Sequence, residues 1–110
     1  MENEKPALDK ELMFASSATL CFVSPKYHLK APVVVSILFY RDGTVYAHLY
    51  DALLFGEGVD PADAIDNLRE NIITTMQLYE KHLKEGRRLG APAARTRDAL
   101  RALLAYEYPI

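Results

Sequence analysis

Two runs of β-branched and aromatic residues, separated by an Asp-Gly pair, constrain the fold of this chain more than any other feature. The first run covers residues 33–40, the second covers residues 45–50, and Asp42-Gly43 lies between them. Such residues are enriched in strands, and Asp-Gly between two such runs is typical of a β-hairpin. The sequence therefore predicts an antiparallel hairpin over residues 33–50.

The Asp-Gly pair also predicts how the two strands align. It favours a two-residue type I′ turn, in which both central residues adopt positive φ. In that alignment Arg41 lies opposite Thr44, and Tyr46 and Tyr50 share one face of the hairpin with Phe39. Both faces then carry apolar side chains, so we expect a second layer or a subunit interface to cover each of them.

The clearest predicted helix follows the hairpin. Asp60 is a suitable N-cap and Pro61 suits the first helical position. Apolar residues then recur at steps of three and four and form one stripe, which comprises Ile65, Leu68, Ile72, Met76, Tyr79 and Leu83. Gly86 lies just beyond this stripe, where helices commonly end. We therefore predict a helix near residues 61–85 that covers the sheet.

Shorter elements complete the prediction. Residues 53–58 have the composition of a third strand, and the N-terminal segment predicts a strand near residues 18–24. Residues 87–94 indicate a connector because Gly and Pro interrupt them. Thr96 then caps a second helix before Pro109, and the apolar side of this helix comprises Leu100, Leu103 and Leu104.

These elements predict an α+β fold in one domain of 110 residues. An antiparallel sheet of three to four strands carries one long helix packed on it and a short C-terminal helix. We divide the chain into an N-terminal extension (1–31), a core (32–86), and a connector with the C-terminal helix (87–110).

The start of the long helix carries a family resemblance. Residues 58–68 read Gly-Val-Asp-Pro-Ala-Asp-Ala-Ile-Asp-Asn-Leu. They resemble the segment Gly-Asp-Thr-x-Glu-Glu-Ala-x-x-Asn-(Leu/Ile/Ala) of the HicB-like antitoxin family. The positions that match are Gly58, Asp60 in place of the capping Thr, Asp63, Ala64, Asn67 and Leu68, whereas Val59 and Tyr50 depart from the family pattern. The resemblance covers residues 33 to about 86.

This resemblance implies a partial double-stranded-RNA-binding-domain-like fold that forms dimers or higher oligomers. It also implies a non-enzymatic antitoxin, or an orphan relative of one, that binds and blocks a small basic HicA-like ribonuclease toxin. Tyrosines suit interfaces because they are amphipathic, and acidic residues complement a basic RNA-binding surface. The candidate partner-binding residues are Tyr46, Tyr50, Asp60, Asp63, Asp66 and Glu70.

The C-terminal segment supports an alternative function. The last 30 residues carry seven Lys and Arg against three Asp and Glu, and the candidate nucleic-acid-binding residues are Arg87, Arg88, Arg95, Arg97 and Arg101. Compensation of helix dipoles explains much of this pattern as well. The chain has a net charge of -2 and a pI near 5.9, whereas domains that bind nucleic acid by charge alone usually exceed about 9. A nucleic-acid-binding regulator is therefore the alternative.

Catalytic, metal and cofactor sites are not expected. Cys21 lacks a histidine at the spacing of a nucleophile and base, and a lone cysteine in an apolar run is usually a buried small hydrophobe. His48 and Asp51 point to opposite faces of a strand, so we expect His48 to pack beside Ile37 rather than bind metal. Gly56 and Gly58 lack the Lys-Ser/Thr of a P-loop.

The cellular location is predicted from the cysteine content and the N-terminus. Cys21 is the only cysteine and cannot form an internal disulfide, and the first residues lack the basic and apolar regions of a secretory signal. No apolar run reaches the roughly 20 residues of a membrane-spanning helix. We therefore expect a cytoplasmic protein that does not enter the membrane.

Overall fold

A computed structural model of the chain describes residues 11–86 and 88–106, and it has the predicted α+β architecture. The elements in chain order are β1 (Leu12–Leu20), β2 (Tyr27–Leu29), β3 (Val33–Tyr40), β4 (Val45–Leu49), a 3-10 turn (Tyr50–Ala52), β5 (Leu54–Gly58), α1 (Pro61–Lys84), α2 (Ala91–Leu103) and β6 (Leu104–Tyr106). An antiparallel sheet has the strand order β1-β3-β4-β5, and β2 pairs with β6 in a second, two-stranded sheet.

The N-terminal strand lies earlier in the chain than predicted. β1 ends at Leu20, which pairs with Val33, the first residue of β3. Residues beyond Leu20 therefore have no partner on β3, and the apolar run at 21–23 leaves the sheet. The prediction of a strand near residues 18–24 followed that apolar run, whereas the strand itself is set by its pairing with β3.

The hairpin loop contains three residues, Arg41–Gly43, instead of the predicted two. The amide of Gly43 donates to the carbonyl of Tyr40 at 3.0 Å, and the amide of Tyr40 donates to the carbonyl of Thr44 at 2.9 Å. Gly43 alone in this loop has positive φ, at 89°. These contacts define a turn followed by a glycine bulge rather than a type I′ turn. The Asp42 carboxylate holds the loop by accepting from the amide of Thr44 at 2.9 Å.

The extra loop residue shifts the strand register by one, so the predicted register is wrong. Phe39 pairs with Val45 instead of Tyr46. A shift of one residue moves each side chain to the other face relative to its partner strand. Tyr46 and Tyr50 therefore do not share a face with Phe39, and His48 pairs with Ser36 rather than packing beside Ile37.

One face of the four-stranded sheet forms the core with α1, and we call it the inner face. The buried residues of α1 are Ala64, Leu68, Ile72 and Met76, and those of the sheet include Leu20, Val35, Ile37, Val45, Ala47 and Leu49. Burial of each large side chain stabilises the fold by about 1.5–3 kcal/mol. The predicted stripe is confirmed up to Tyr79, which packs against the core, but Leu83 is 71% exposed near the end of the helix.

The second helix begins earlier than predicted, at Ala91, with Gly90 as its N-cap. Pro92 lies in its first turn, where a missing amide hydrogen does no harm, so the Gly-Ala-Pro segment starts the helix instead of forming a connector. The prediction that Thr96 caps this helix is wrong, because Thr96 lies buried in its interior. Leu100 joins the core.

Within the part of the chain that the structure describes, no helix combines the length and the apolar character needed to span a membrane.

Candidate interaction surface

The outer face of the four-stranded sheet, which points away from α1, carries most of the aromatic side chains of the hairpin. Side chains alternate between the faces of a strand. Because Ala47 and Leu49 are buried against the helix, Tyr46 and His48 point outward. Phe55 pairs with His48 across β4 and β5 and shares this face.

Five rings contact one another on this face, and we call them the aromatic cluster. Its members are Tyr40, Tyr46, His48, Tyr50 and Phe55. The imidazole of His48 is stacked with Tyr50 at a centroid distance of 5.0 Å and with Phe55 at 5.4 Å. The ring of Tyr46 lies edge-on to Tyr40 at 5.2 Å and tilted to Phe55 at 5.6 Å. Such arrangements favour aromatic pairs beyond their shared burial.

The aromatic cluster remains accessible even though its rings contact one another. Tyr50 is 56% exposed and Phe55 is 45% exposed. Among residues 11–86 and 88–106, no helix or strand has extensive contacts with the outer face: α1 contacts β4 and β5 from the inner side, and α2 contacts the 3-10 turn that carries Tyr50. The hairpin was expected to be covered on both faces by a second layer or a subunit interface, and within these residues only the inner face has a covering layer.

His48 lies among the rings, and its environment favours the neutral imidazole. Partial burial lowers the pKa of His48 from its ordinary value, since water is removed from around the charged form. A neutral ring suits the stacking on Tyr50 and Phe55. The lowered pKa therefore reduces the charge that His48 adds to the aromatic cluster at neutral pH.

Two of the predicted acidic residues cap the start of α1. The amide of Asp63 donates to the Asp60 carboxylate at 2.8 Å, and the amide of Val59 donates to the Asp63 carboxylate at 3.0 Å. This reciprocal arrangement satisfies amides that would otherwise lack partners at a helix start. The cap predicted at Asp60 is confirmed.

Asp66 and Glu70 lie one helical turn apart on α1, and both are exposed. Asp66 forms an ion pair with Arg69 at 2.7 Å. Arg69 also donates to the carbonyl of Phe22 at 3.1 Å and lies 4.6 Å from its ring centre. All four acidic candidates belong to the helix on the inner side of the sheet, whereas Tyr46 and Tyr50 lie on its outer side.

The basic candidates occupy different sides of α2. Arg87 lies outside the described residues, and Arg88 precedes the helix in an exposed position. Arg97 and Arg101 are one turn apart on the same side, whereas Arg95 lies two residues from Arg97 and points elsewhere. Arg97 is also paired with Asp98 at 3.0 Å.

Sequence reasoning missed the contributions of His48 and Phe55 to the aromatic cluster. The available signal was the spacing of Gly56 and Gly58, which lie two residues apart and therefore on one face of β5. Glycines in a strand often mark a close approach of another backbone. A Cβ at either glycine would overlap the backbone of α1, so both face inward and Phe55 faces outward.

Cys21 is exposed, which contradicts its predicted burial in an apolar run. It follows the last residue of β1, where the chain leaves the sheet. Among the described residues, no three His, Cys, Asp or Glu side chains lie close enough to hold a metal ion together.

Comparisons with family models, curated proteins and solved structures found no match to this chain.

Proposed function

We propose that this chain is a non-enzymatic protein-binding module and that its aromatic cluster is the contact surface. The observation that carries this proposal is a sheet face with five contacting rings and no covering layer among the described residues. Exposed patches of this kind mark interaction sites, and Tyr and Phe are enriched in the centres of protein interfaces.

The surroundings of the rings favour a protein partner over a single-stranded nucleic acid. Bases also stack on aromatic side chains, but that mode needs Lys or Arg beside the rings to neutralise phosphates. The strands that carry the rings, β3, β4 and β5, contain neither residue. Arg41 in the hairpin loop forms an ion pair with Glu11 at 2.9 Å.

The specific form of this proposal is a HicB-like antitoxin that binds a small basic ribonuclease toxin. The resemblance at residues 58–68 supports it. Acidic side chains border the rings, since Asp51 and Glu57 are both exposed, and they complement a basic partner. The inhibition would be steric, because the bound chain covers the surface through which the toxin binds RNA.

The test is capture of the partner from the native cell by the tagged chain at low and high salt, with protein and nucleic acid identified together. We expect a protein that remains bound at high salt. The Phe55→Ser variant should bind it at least about tenfold more weakly, as for an interface hot spot. The matched control is Leu78→Ser on α1, since Leu78 is 48% exposed and Phe55 is 45% exposed.

Each outcome has a distinct meaning. Loss of binding in Phe55→Ser alone supports the aromatic cluster as the contact surface. Equal binding by both variants contradicts it. Nucleic acid that dissociates at high salt, without a bound protein, favours the regulator that uses the C-terminal arginines. The antitoxin form requires in addition that the partner cleaves RNA and that the chain inhibits this cleavage.

A further inference from the structure

The outer edge of β1 is the longest unpaired edge of the sheet. β1 spans nine residues, and those at positions 12–17 are all exposed. Its one strand partner among residues 11–86 and 88–106 is β3, so its other side presents free backbone groups. Such an edge is a template for pairing with another strand.

Most of the devices that normally prevent such pairing are missing from β1. Natural edge strands are protected by charged residues, proline, β-bulges, shortness or a covering element. The strand reads Leu-Met-Phe-Ala-Ser-Ser-Ala-Thr-Leu and contains neither charge nor proline. An irregularity interrupts its pairing with β3 between Leu12 and Phe14, but the remaining residues pair without a break to Leu20.

We propose that β1 pairs in antiparallel orientation with β1 of a second copy of this chain. The absence of charge argues for this occupant, because self-pairing brings no like charges together and an ionic partner would gain nothing from the strand. The strand ends also bring no uncompensated like charges together. Antiparallel pairing sets the Glu11 end of one copy beside the Phe22 end of the other, and Glu11 is paired with Arg41, whereas Arg69, which contacts Phe22, is paired with Asp66.

The two-fold axis of such a pair lies near Ser16 and Ser17, in the middle of β1, and is perpendicular to the sheet. The two sheets then join into one sheet of eight strands. Both copies present their aromatic clusters on the same side, and both α1 helices lie on the other.

The area of the contact predicts a weak dimer. Nine residues at about 3.3 Å each give a strip about 30 Å long, and about 10 Å of width gives roughly 600 Å² over both copies. A stable interface buries about 1,200–2,000 Å². Dimerisation through β1 should therefore depend on protein concentration.

The first experiment is sedimentation velocity of the full chain over two orders of magnitude in concentration. We expect a monomer that converts into a dimer as the concentration rises. Ser17→Lys places two like charges near the axis and should raise the dimer dissociation constant about fivefold or more. The matched control is Gln77→Lys, which adds the same charge at an exposed position on α1.

The proposal is supported if the wild type and Gln77→Lys dimerise alike and Ser17→Lys dimerises with a dissociation constant at least about fivefold higher. It is overturned if the wild type remains a monomer throughout, or if Ser17→Lys dimerises as well as the control. Circular dichroism establishes that each variant is folded.

A cysteine scan decides the question without relying on Ser17→Lys. In a Cys21→Ser background, single cysteines at positions 14 to 19 are oxidised, and cross-linked dimers are separated on a non-reducing gel. The residue on the axis faces its own copy at about 4.5–5.5 Å between Cα atoms, within disulfide range. A single maximum within β1 supports the pairing. Uniform cross-linking, no stronger than at Gln77→Cys, overturns it.

Discussion

The two edges of the four-stranded sheet differ in how well they are protected from pairing with another strand. At the β5 edge, side chains from α1 bond to the strand, whereas the β1 edge is exposed and uncharged. Both strands have the same role in the topology, since each pairs on one side only. The helix therefore protects the edge to which it bonds, whereas the other edge depends on something beyond the described residues or remains open.

The β5 edge is closed by two asparagines one helical turn apart. The Asn67 amide donates to the carbonyl of Glu57 at 2.5 Å, and the Asn71 amide donates to the carbonyl of Phe55 at 2.6 Å. These carbonyls lie two residues apart on the strand and therefore point to the same side. A strand carbonyl that is already bonded is a poorer acceptor for an incoming strand.

The closure depends on a close approach of the helix to the strand. A Cβ at Gly56 would overlap the backbone nitrogen of Leu68 and the carbonyl oxygen of Ala64. Ala64 is itself fully buried and small. Glycine in the strand and alanine in the helix thus let the two backbones pack closely enough for the asparagines to reach the edge.

The largest expected effect comes from breaking this approach with Gly56→Ala. The new methyl group meets backbone atoms that cannot rotate away, so helix and strand must separate. We expect a loss of about 3 kcal/mol or more in the free energy of unfolding, at the upper end of overpacking effects. Urea denaturation followed by circular dichroism measures it.

The control is Gly90→Ala, because a Cβ at Gly90 meets nothing within 4 Å and its φ is -68°. Gly90→Ala should lower the free energy of unfolding by no more than about 1 kcal/mol, which is the cost of a poorer N-cap residue. If the two alanine variants are equally stable, the close contact between α1 and β5 is not what holds this side of the sheet.

The second prediction opens the β5 edge without disturbing the glycines. Asn67→Ala combined with Asn71→Ala removes both donors, and each lost bond costs about 1 kcal/mol. Alanine's higher helix propensity returns about half of that at each site. We therefore expect a net loss of about 1 kcal/mol in the free energy of unfolding, measured by urea denaturation. Gln77→Ala serves as the control for propensity, and a double variant that is as stable as this control would refute the role of the asparagines.

Much of the β5 side of the sheet, including the start of α1, could be predicted from the sequence because its signals are local. Asp60 and Pro61 mark the start of α1, and the strand at 54–58 lies within the predicted 53–58. The register of the hairpin could not be predicted in the same way. Asp-Gly fits both a two-residue and a three-residue loop, and the choice between them is made by strand pairing elsewhere in the sheet.

The β1 edge and the outer face of the sheet were harder to predict for a physical reason. Residues 12–17 of β1 are all exposed, so most of this strand lacks the alternation of apolar and polar residues that identifies a half-buried strand. The amphipathic rings of Tyr46 and Tyr50 predict a role in an interface. The predicted grouping of these rings with Phe39 is wrong because the predicted register is wrong. Their actual neighbours, His48 and Phe55, are set by how the strands pair in the folded sheet.

The smallest expected effect concerns His48 on the outer face and how strongly the neighbouring rings remove water from its imidazole. The unfolded chain binds a proton on His48 with the ordinary pKa of about 6.5, whereas partial burial lowers the pKa in the folded chain. Well above pH 6.5 both states are neutral. As the pH falls through this value the unfolded state binds the proton first, so stability decreases until the folded pKa is passed. His48→Gln should remove this decrease.

The measurement is the difference in the free energy of unfolding between the wild type and His48→Gln across this pH range. Both chains contain His28 and His82, so the contributions of these two residues cancel in the difference. Parallel profiles would show that the rings do not desolvate His48.

A nuclear magnetic resonance titration of His48 then distinguishes the two proposed contacts, which are self-pairing through β1 and partner binding on the aromatic cluster. Self-pairing through β1 leaves His48 two strands away, so its pKa should not change with protein concentration. A protein bound on the aromatic cluster should lower that pKa further, because it removes more water from the ring.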